Sequence, residues 1–123
     1  MPLFVEPGRM PSCALARVIV LVHESYADGE VSLKSISRKV NISDRHLGRL
    51  FTRCTGFYFR EYLRELRIHR AGQLLKSEGY SLKEIAVMVG YNGISHFGQE
   101  FRRSTGITPS QFRGAHTAYR SVA

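Results

Sequence analysis

The chain has 123 residues and a formal net charge of +8, and so basic a domain usually binds a polyanion, because Lys and Arg displace the counterions condensed around phosphates. Its hydrophobic content of 43% is ordinary for a chain that folds around a core, which excludes wholesale disorder, and its length suits one small domain or two subdomains that share a connecting element. Its two cysteines, Cys13 and Cys54, are isolated and lack zinc-ligand spacing, which argues against a disulfide scaffold and favours a reducing, cytoplasmic setting.

The chain opens with a proline-rich leader and one amphipathic helix. Residues 1–11 contain three prolines and a glycine and are predicted to form a disordered leader. A helix is predicted from about Ser12 to Tyr26, with apolar residues at helical spacing: Leu15, Val18, Ile19 and Val22. This apolar stretch is interrupted by Arg17, is too short to span a bilayer and lacks the flanks of a secretory signal. No membrane partner is therefore expected.

From residue 32 onward the sequence repeats itself with a period near 50 residues. The segment Ser32–Lys34 recurs 49 positions later as Ser81–Lys83, and Thr55-Gly56 recurs 50 positions later as Thr105-Gly106. A period of this size with a helical pattern inside it indicates two copies of one supersecondary unit. The copies differ by one residue in their middle turn, and each is predicted to fold as a helix, a tight turn and a second helix.

The first copy, residues 33–55, is predicted to begin with Ser32 as its N-cap and to turn at Asn41, which tolerates a left-handed conformation. Ser43 is expected to cap the second helix, which runs from about residue 44 to residue 55. One side of this helix is apolar and is expected to face the core: Leu47, Leu50, Phe51 and Cys54. At about 100° per residue, the opposite side carries three polar residues flanked by two more: Arg45, Arg49 and Thr52, with His46 and Arg53.

The second copy, residues 82–105, follows the same plan. Ser81 and Glu84 form a capping box, and Gly90 supplies the left-handed turn. Asn92 is expected to cap the second helix. The buried side of that helix is marked by Phe97 and Phe101, and its outer side is formed by Ser95, Gln99 and Arg102, flanked by His96 and Arg103. Two short helices joined by so brief a turn are typical of the motif that enters the DNA major groove.

One longer helix is predicted between the copies, over residues 59–76. At 1.5 Å per residue it spans roughly 27 Å, which is close to the roughly 34 Å between readers in successive major grooves. A helix that only completes the core would have the same pattern. A last short helix is predicted to open at Thr108, with Gln111 completing a capping box, and residues 115–123 are expected to form a C-terminal tail.

Several of these segments, taken in order, resemble the DNA-binding domain of the AraC/XylS class of bacterial transcription regulators. The segments that carry the resemblance are Leu63–Ile68 with Ala71 and Leu74-Leu75, Ile85-Ala86 with Val89–Tyr91, and Ser95–Gly98 continuing through Phe101–Arg103, Thr105-Gly106 and Pro109-Ser110 to Phe112-Arg113. The resemblance covers about Leu15 to Arg113, and residues 12–114 are assigned to such a domain. It implies an all-α, homeodomain-like fold of seven helices in two helix-turn-helix subdomains joined by a central linker helix.

The resemblance also implies that each recognition helix enters one of two adjacent major-groove segments of double-stranded DNA. Base contacts are then expected at five residues, most of which the helical pattern already places on the outer sides: Arg45, Arg49, Ser95, His96 and Gln99. Contacts with the DNA backbone, or flanking positions, are expected at seven more: Ser43, His46, Thr52, Arg53, Asn92, Arg102 and Arg103. Because one chain supplies both readers, a monomer on an asymmetric two-part site is expected, with RNA polymerase as a further partner.

Individual residues suit particular roles. Arg49 suits bidentate contact with guanine and Gln99 with adenine, although a phosphate contact and a plain surface position remain the alternatives. Asp44 is expected to stabilise the start of its helix rather than to read a base. Gly48 and Gly98 stand where members of the family often carry a polar base-reading side chain, which indicates a close backbone approach to DNA or between helices.

Other functions remain open at this stage. The chain is alternatively a protein-interaction module with degenerate helix-turn-helix units, a DNA-targeting fragment of a larger regulator, or an enzyme that uses the fold for targeting. The sequence has no metal-ligand cluster, no nucleophile with its base and no phosphate-binding glycine loop, so neither an enzyme nor a cofactor is expected. No small-molecule effector site is apparent, because the eleven-residue leader leaves no room for a ligand-sensing domain.

Overall fold

The computed structural model describes residues 13–77 and 79–122, with side chains described for residues 15–77 and 79–116. These residues form seven α-helices and no strand, so the all-α class expected from the sequence is confirmed. The helices are α1 (Cys13–Ser25), α2 (Leu33–Val40), α3 (Asp44–Thr55), α4 (Phe59–Lys76), α5 (Leu82–Met88), α6 (Ile94–Thr105) and α7 (Pro109–Val122). The predicted leader, residues 1–11, lies outside the described residues.

The chain divides into two compact units, and the boundary between them falls within α4. Unit 1 comprises Met1–Leu66 and therefore holds α1, α2, α3 and the first part of α4. Unit 2 comprises Arg67–Ala123 and holds the rest of α4 with α5, α6 and α7. Each unit contains one of the two helix-turn-helix motifs that the repeat predicts.

The core of unit 1 is organised around Phe51 of α3. The Phe51 ring meets the rings of Phe59 and Tyr62 edge-on, with centroids 5.5 and 5.2 Å away, which is a favoured arrangement of aromatic pairs. The polar end of the buried Tyr62 is satisfied, because its hydroxyl oxygen lies 2.8 Å from Nε2 of His23. The remaining buried apolar residues come from all four helices: Leu15, Val18, Ile19, Val22, Ile36, Leu47, Leu63 and Leu66.

The core of unit 2 contains a second aromatic group, which runs from α6 to α7. The ring centroids of Phe97 and Phe101 are 5.8 Å apart, and those of Phe101 and Phe112 are 5.4 Å apart. Gly72 on α4 faces this group, and a Cβ atom there would make an ordinary contact with the Phe112 ring at 3.6 Å. Other buried apolar residues of this unit are Ile68, Ala71, Leu75, Ile85, Ala86, Val89 and Tyr91.

The helix ends in both copies are set by local hydrogen bonds. The hydroxyl of Ser32 accepts from the N–H of Ser35, and Ser35 Oγ accepts in return from the N–H of Ser32, which makes a capping box. Ser81 and Glu84 form the equivalent box in the second copy. At the other end of α2, Asn41 takes the expected left-handed conformation, with φ of 57°. These predictions are confirmed. They could be made from the sequence because each feature depends on residues within about one helical turn of one another.

The expected N-cap of α6 is wrong: Gly93, and not Asn92, occupies that position, and no side chain among the described residues caps the helix. The two turns match as far as Tyr91, whose N–H donates to the Ala86 carbonyl as that of Ile42 donates to Ser37. After that point the second copy has one extra residue, Asn92, so a glycine falls where the first copy has its capping serine. A glycine cap costs only a few tenths of a kcal/mol relative to serine.

The last helix, α7, is longer than expected. Thr108 and Gln111 form the predicted capping box, with the N–H of Thr108 donating to Gln111 Oε1 at 2.9 Å and the N–H of Gln111 donating to Thr108 Oγ1 at 3.1 Å. The rings of Phe112 and His116, one turn apart, pack with centroids separated by 4.4 Å. The helix continues through residues 115–122, where a C-terminal tail was expected, and no proline follows its first residue to interrupt it.

Candidate nucleic-acid interface

Helix α3 presents a basic outer face. Leu47 and Phe51 are fully buried on its inner side, and Leu50 and Cys54 are partly buried against the same core. The polar residues expected on the outer side are exposed, apart from Thr52, which is partly buried: Arg45, His46, Arg49 and Arg53. Three guanidinium groups on the exposed side of one helix supply the donors that phosphates and guanine edges accept.

The start of α3 is fixed by Ser43. Its hydroxyl accepts a hydrogen bond from the N–H of His46 at 3.2 Å, as the sequence predicts for an N-cap. Because the oxygen acts as the acceptor, the hydroxyl hydrogen of Ser43 is left to point elsewhere. The residue is exposed, so this hydrogen is available to an anionic group outside the protein.

Helix α6 presents a more mixed outer face. Phe97 and Phe101 are fully buried, while the polar residues of the opposite side are exposed: Ser95, His96, Gln99, Arg102 and Arg103. The His96 side chain is held in place although it is 65% exposed, because its Nε2 lies 3.4 Å from Glu100 Oε1. Its ring also packs edge-on against that of Tyr91, with a centroid distance of 5.2 Å. The second helix therefore offers hydroxyl, imidazole and amide groups beside its two arginines.

A polar link between α2 and α3 was not predicted from the sequence. Ser37 is only 2% exposed, and its Oγ lies 2.5 Å from Asp44 Oδ1 and 2.8 Å from the Lys34 carbonyl oxygen. The single hydroxyl hydrogen donates to one of these acceptors at a time. Asp44 thus holds the first turn of α3 against α2, in addition to its expected favourable position at the positive end of the helix dipole.

The second copy of the repeat cannot form the same link. The residues that correspond to Ser37 and Asp44 in the second copy are Ala86 and Ile94, so a polar pair in one unit is replaced by an apolar pair in the other. The hydrogen bond between these two positions is therefore particular to unit 1, and in unit 2 the second position, Ile94, is exposed.

The two glycines within the recognition helices have different surroundings. A Cβ atom at Gly48 would lie 3.4 Å from Leu33 Cδ2 on α2, which is close to an ordinary van der Waals contact. A Cβ atom at Gly98 would meet no atom of the described residues within 4 Å. Gly48 thus faces a side chain of α2, whereas Gly98 leaves open space on the surface of α6.

Three of the four arginines of α4 make contacts within the protein. Arg64 Nε lies 3.4 Å from Glu65 Oε1, and Arg70 Nη1 donates to Gln73 Oε1 at 3.2 Å. The Arg67 guanidinium lies over the Tyr91 ring, 5.6 Å from its centroid. These three arginines are therefore held by partners within the protein, and contacts with DNA are not assigned to them.

The described residues form neither a metal-binding cluster nor a membrane-spanning helix. No group of three or more His, Cys, Asp or Glu side chains there is placed to hold a metal ion. No helix in that part of the chain is long and apolar enough to cross a membrane. The polar outer faces of α3 and α6 are thus the surfaces to which the sequence and the structure both point.

Comparison with known proteins gives a consistent result. A family model described as a helix-turn-helix domain matches residues 36–115. The HTH-type transcriptional regulator RipA of Corynebacterium diphtheriae is 34% identical over 107 residues, which cover 87% of this chain and 32% of RipA. The chain spans about a third of the length of the curated relatives it matches.

Two solved structures show the same fold. The C-terminal domain of the two-component response regulator yesN from Fusobacterium nucleatum is 31% identical, with a TM-score of 0.80 over 83% of this chain and 99% of that chain. The DNA-binding domain of AdpA, a global transcriptional factor whose structure was determined in complex with a target DNA, is 26% identical, with a TM-score of 0.83 over 89% of this chain and 98% of that chain.

Proposed function

The chain belongs to the AraC/XylS family of helix-turn-helix proteins, and from this premise we propose that it regulates transcription by binding a specific sequence of double-stranded DNA through α3 and α6. The observation that carries the proposal is that both helices bury an apolar side and expose a polar one. A buried side fixes each helix on its unit, and an exposed polar side leaves donors and acceptors for base edges. The likeness to a domain solved with its target DNA supports the same function.

Specificity is assigned to five side chains. In α3, Arg49 donates two hydrogen bonds to guanine O6 and N7, and Arg45, in the first turn, reads a neighbouring base. In α6, Gln99 pairs with adenine N6 and N7, while Ser95 and His96 contact bases from the first turn. The exposure of all five supports the assignment.

Affinity is assigned mainly to contacts with phosphates, which position the protein without reading sequence. Arg53, Arg102 and Arg103 lie beside the base-reading residues on their helices and are exposed. Ser43 and His46 stand at the start of α3, where the helix dipole also favours an anion. Thr52 and Asn92 complete the set as neutral donors at the edges of the two surfaces.

One chain is proposed to act as a monomer on an asymmetric, two-part site, because each unit contains its own recognition helix. Regulation of transcription in a bacterium implies contact with RNA polymerase and a location in the cytoplasm, on the nucleoid. The function needs no catalytic residue, cofactor or effector within these residues. Support for these points comes from the family and from the two-unit organisation.

Selection of binding sites from random DNA tests the function directly. We expect the protein to enrich one sequence, and Arg49→Ala and Gln99→Ala each to relax the preference at a different base pair. Each loss should amount to about 1–3 kcal/mol of discrimination, since a bidentate contact with the base is removed. The measurement is the base preference at each position, read by sequencing the selected pools.

Arg60→Ala is the matched control for the selection. Arg60 is an exposed arginine of α4 outside both recognition helices, so its removal takes away one charge without a base contact. This variant should leave the base preference at every position intact. If Arg49→Ala and Gln99→Ala relaxed the same base pair, the two-part site would be ruled out, and if no sequence were enriched, specific DNA binding would be ruled out.

Separating the two half-sites tests whether one chain engages both. Insertion of half a helical turn of DNA, about 5 base pairs, moves the second half-site to the opposite face of the duplex. Because α4 is one continuous helix that contributes to both units, we expect affinity to fall at least about tenfold, a loss of about 1.4 kcal/mol. A gel-shift titration measures it. A second DNA carries an insertion of a full helical turn, which returns the half-site to the original face of the duplex. Undiminished affinity after the half-turn insertion would contradict the binding of both half-sites by one chain with a fixed spacing.

A further inference from the structure

The first residue of α6 is apolar although it is exposed. Ile94 opens the helix directly after its N-cap Gly93, and 48% of its surface is exposed. The corresponding residue of the first copy is Asp44, which is polar and hydrogen-bonded to Ser37. The second recognition helix thus begins with an exposed apolar side chain where the first begins with a carboxylate engaged inside its own unit.

The surface next to Ile94 is open. Gly98 lies one turn further along α6, on the same flank as Ile94, because residues four apart in a helix are neighbours. It carries no side chain, and a Cβ atom there would meet no described atom within 4 Å. The exposed Ser95 and Gln99 follow these two residues on the side toward the outer face. An apolar surface and a gap are therefore adjacent to the groups proposed to read bases.

The groups that base pairs expose in the major groove indicate which of them fits the surface formed by Ile94 and Gly98. The residues at the start of a recognition helix are the ones that reach base edges. Among the groups that base pairs expose in the major groove, the 5-methyl of thymine is the apolar one, and it is read by apolar side chains. An isoleucine bordered by a gap offers such a methyl group a contact surface and the space to approach it.

We propose that Ile94 reads the 5-methyl group of one thymine in the half-site bound by α6, and that Gly98 provides the room for it. This inference rests on the function proposed above, since it needs α6 to enter the major groove. It adds an apolar specificity residue to a set that is otherwise polar. It also gives the two half-sites different chemistry, because the matched residue Asp44 is not apolar.

The test uses deoxyuridine, which differs from thymidine only by the absence of the 5-methyl group. The half-site of α6 is the one whose base preference changes in Gln99→Ala. Each thymine in it is replaced singly, and affinity is measured by fluorescence anisotropy. For the unsubstituted protein we expect one position at which the replacement weakens binding about three- to fivefold, the effect of burying one methyl group.

Ile94→Ala provides the decisive comparison. This variant should bind the thymine DNA about three- to fivefold more weakly and should no longer respond to deoxyuridine at that position. Because alanine favours helices and Ile94 is half-exposed, α6 is expected to remain folded, which thermal unfolding checks. Val87→Ala is the matched control, since Val87 is an exposed apolar residue on α5, and it should retain the full response to deoxyuridine.

The outcomes separate this inference from the proposed function. If the protein binds no specific DNA, both fail together. If it binds specifically and Ile94→Ala keeps the response to deoxyuridine, or no thymine in the half-site gives a response, only the role of Ile94 fails. Weaker thymine responses in both Ile94→Ala and Val87→Ala would also overturn it, because they would indicate an apolar surface that acts on something other than one methyl group.

Discussion

Replacement of Phe51 by alanine is expected to lower the free energy of unfolding by about 3–5 kcal/mol, the range found for large aromatic side chains in well-packed cores. Phe51 is fully buried and meets both Phe59 and Tyr62 edge-on. Truncation removes the ring from the core and leaves a cavity that α1 and α2 cannot fill without moving. Small domains have only about 5–15 kcal/mol of stability, so the variant loses a large part of it.

Urea denaturation followed by circular dichroism measures this loss. Tyr58→Ala is the matched control, because Tyr58 is an aromatic residue of the same unit that is 69% exposed. Its truncation should change the free energy of unfolding by no more than about 0.5 kcal/mol. A cost below about 1 kcal/mol for Phe51→Ala would contradict the packing of α3 against the core. Because α3 also carries Arg45 and Arg49, we expect Phe51→Ala to weaken DNA binding as unit 1 unfolds.

Raising the salt concentration from 50 to 200 mM is expected to weaken DNA binding by about 40- to 500-fold, if arginine side chains neutralise about three to five phosphates. The physical reason is that binding releases counterions from the duplex, and salt reduces the gain from that release. The upper end of this range corresponds to the five exposed arginines of α3 and α6, and the lower end to the three of them that are assigned to phosphates. Fluorescence anisotropy at several salt concentrations gives the slope of log affinity against log salt.

Single substitutions measure how much each residue contributes to the slope of log affinity against log salt. Arg53→Ala should reduce its magnitude by about 1, since one phosphate contact is lost, and should weaken binding to specific and unrelated DNA alike. Arg60→Ala, outside both recognition helices, should leave the slope unchanged. An affinity for DNA that did not vary with salt would instead favour the alternative of a protein-interaction module.

The turns show where sequence reasoning succeeded and where it did not. Ser32, Ser81 and Asn41 behave as predicted, because a cap or a left-handed turn depends on a few neighbouring residues. Asn92 was predicted to be a cap for the same reason, but the second turn is one residue longer than the first, so Asn92 is the extra residue and Gly93 takes the capping position. The hydrogen bond from the Tyr91 N–H to the Ala86 carbonyl has a counterpart in the first copy, so the difference lies after it.

The candidate interface shows a similar division. The outer faces of α3 and α6 follow from the helical period, so the exposure of Arg45, Arg49, Ser95 and Gln99 was accessible from the sequence. The surroundings of Gly48 and Gly98 were not, because they depend on which neighbouring helix approaches and how closely. Which of the exposed residues read bases stays a prediction, and the substitutions at Arg49 and Gln99 are designed to decide it.

By itself, the sequence determined the number and order of the helices, the two-fold repeat, the buried and exposed sides of the recognition helices and the positive charge. These properties depend on residue spacing along one helix, and that spacing is written in the chain. Only the tertiary structure decided how the two copies differ: the link between Ser37 and Asp44 in unit 1, and the exposed Ile94 beside the open Gly98 in unit 2. Those differences arise where separate segments meet, and contacts across a fold follow from packing that no local pattern specifies.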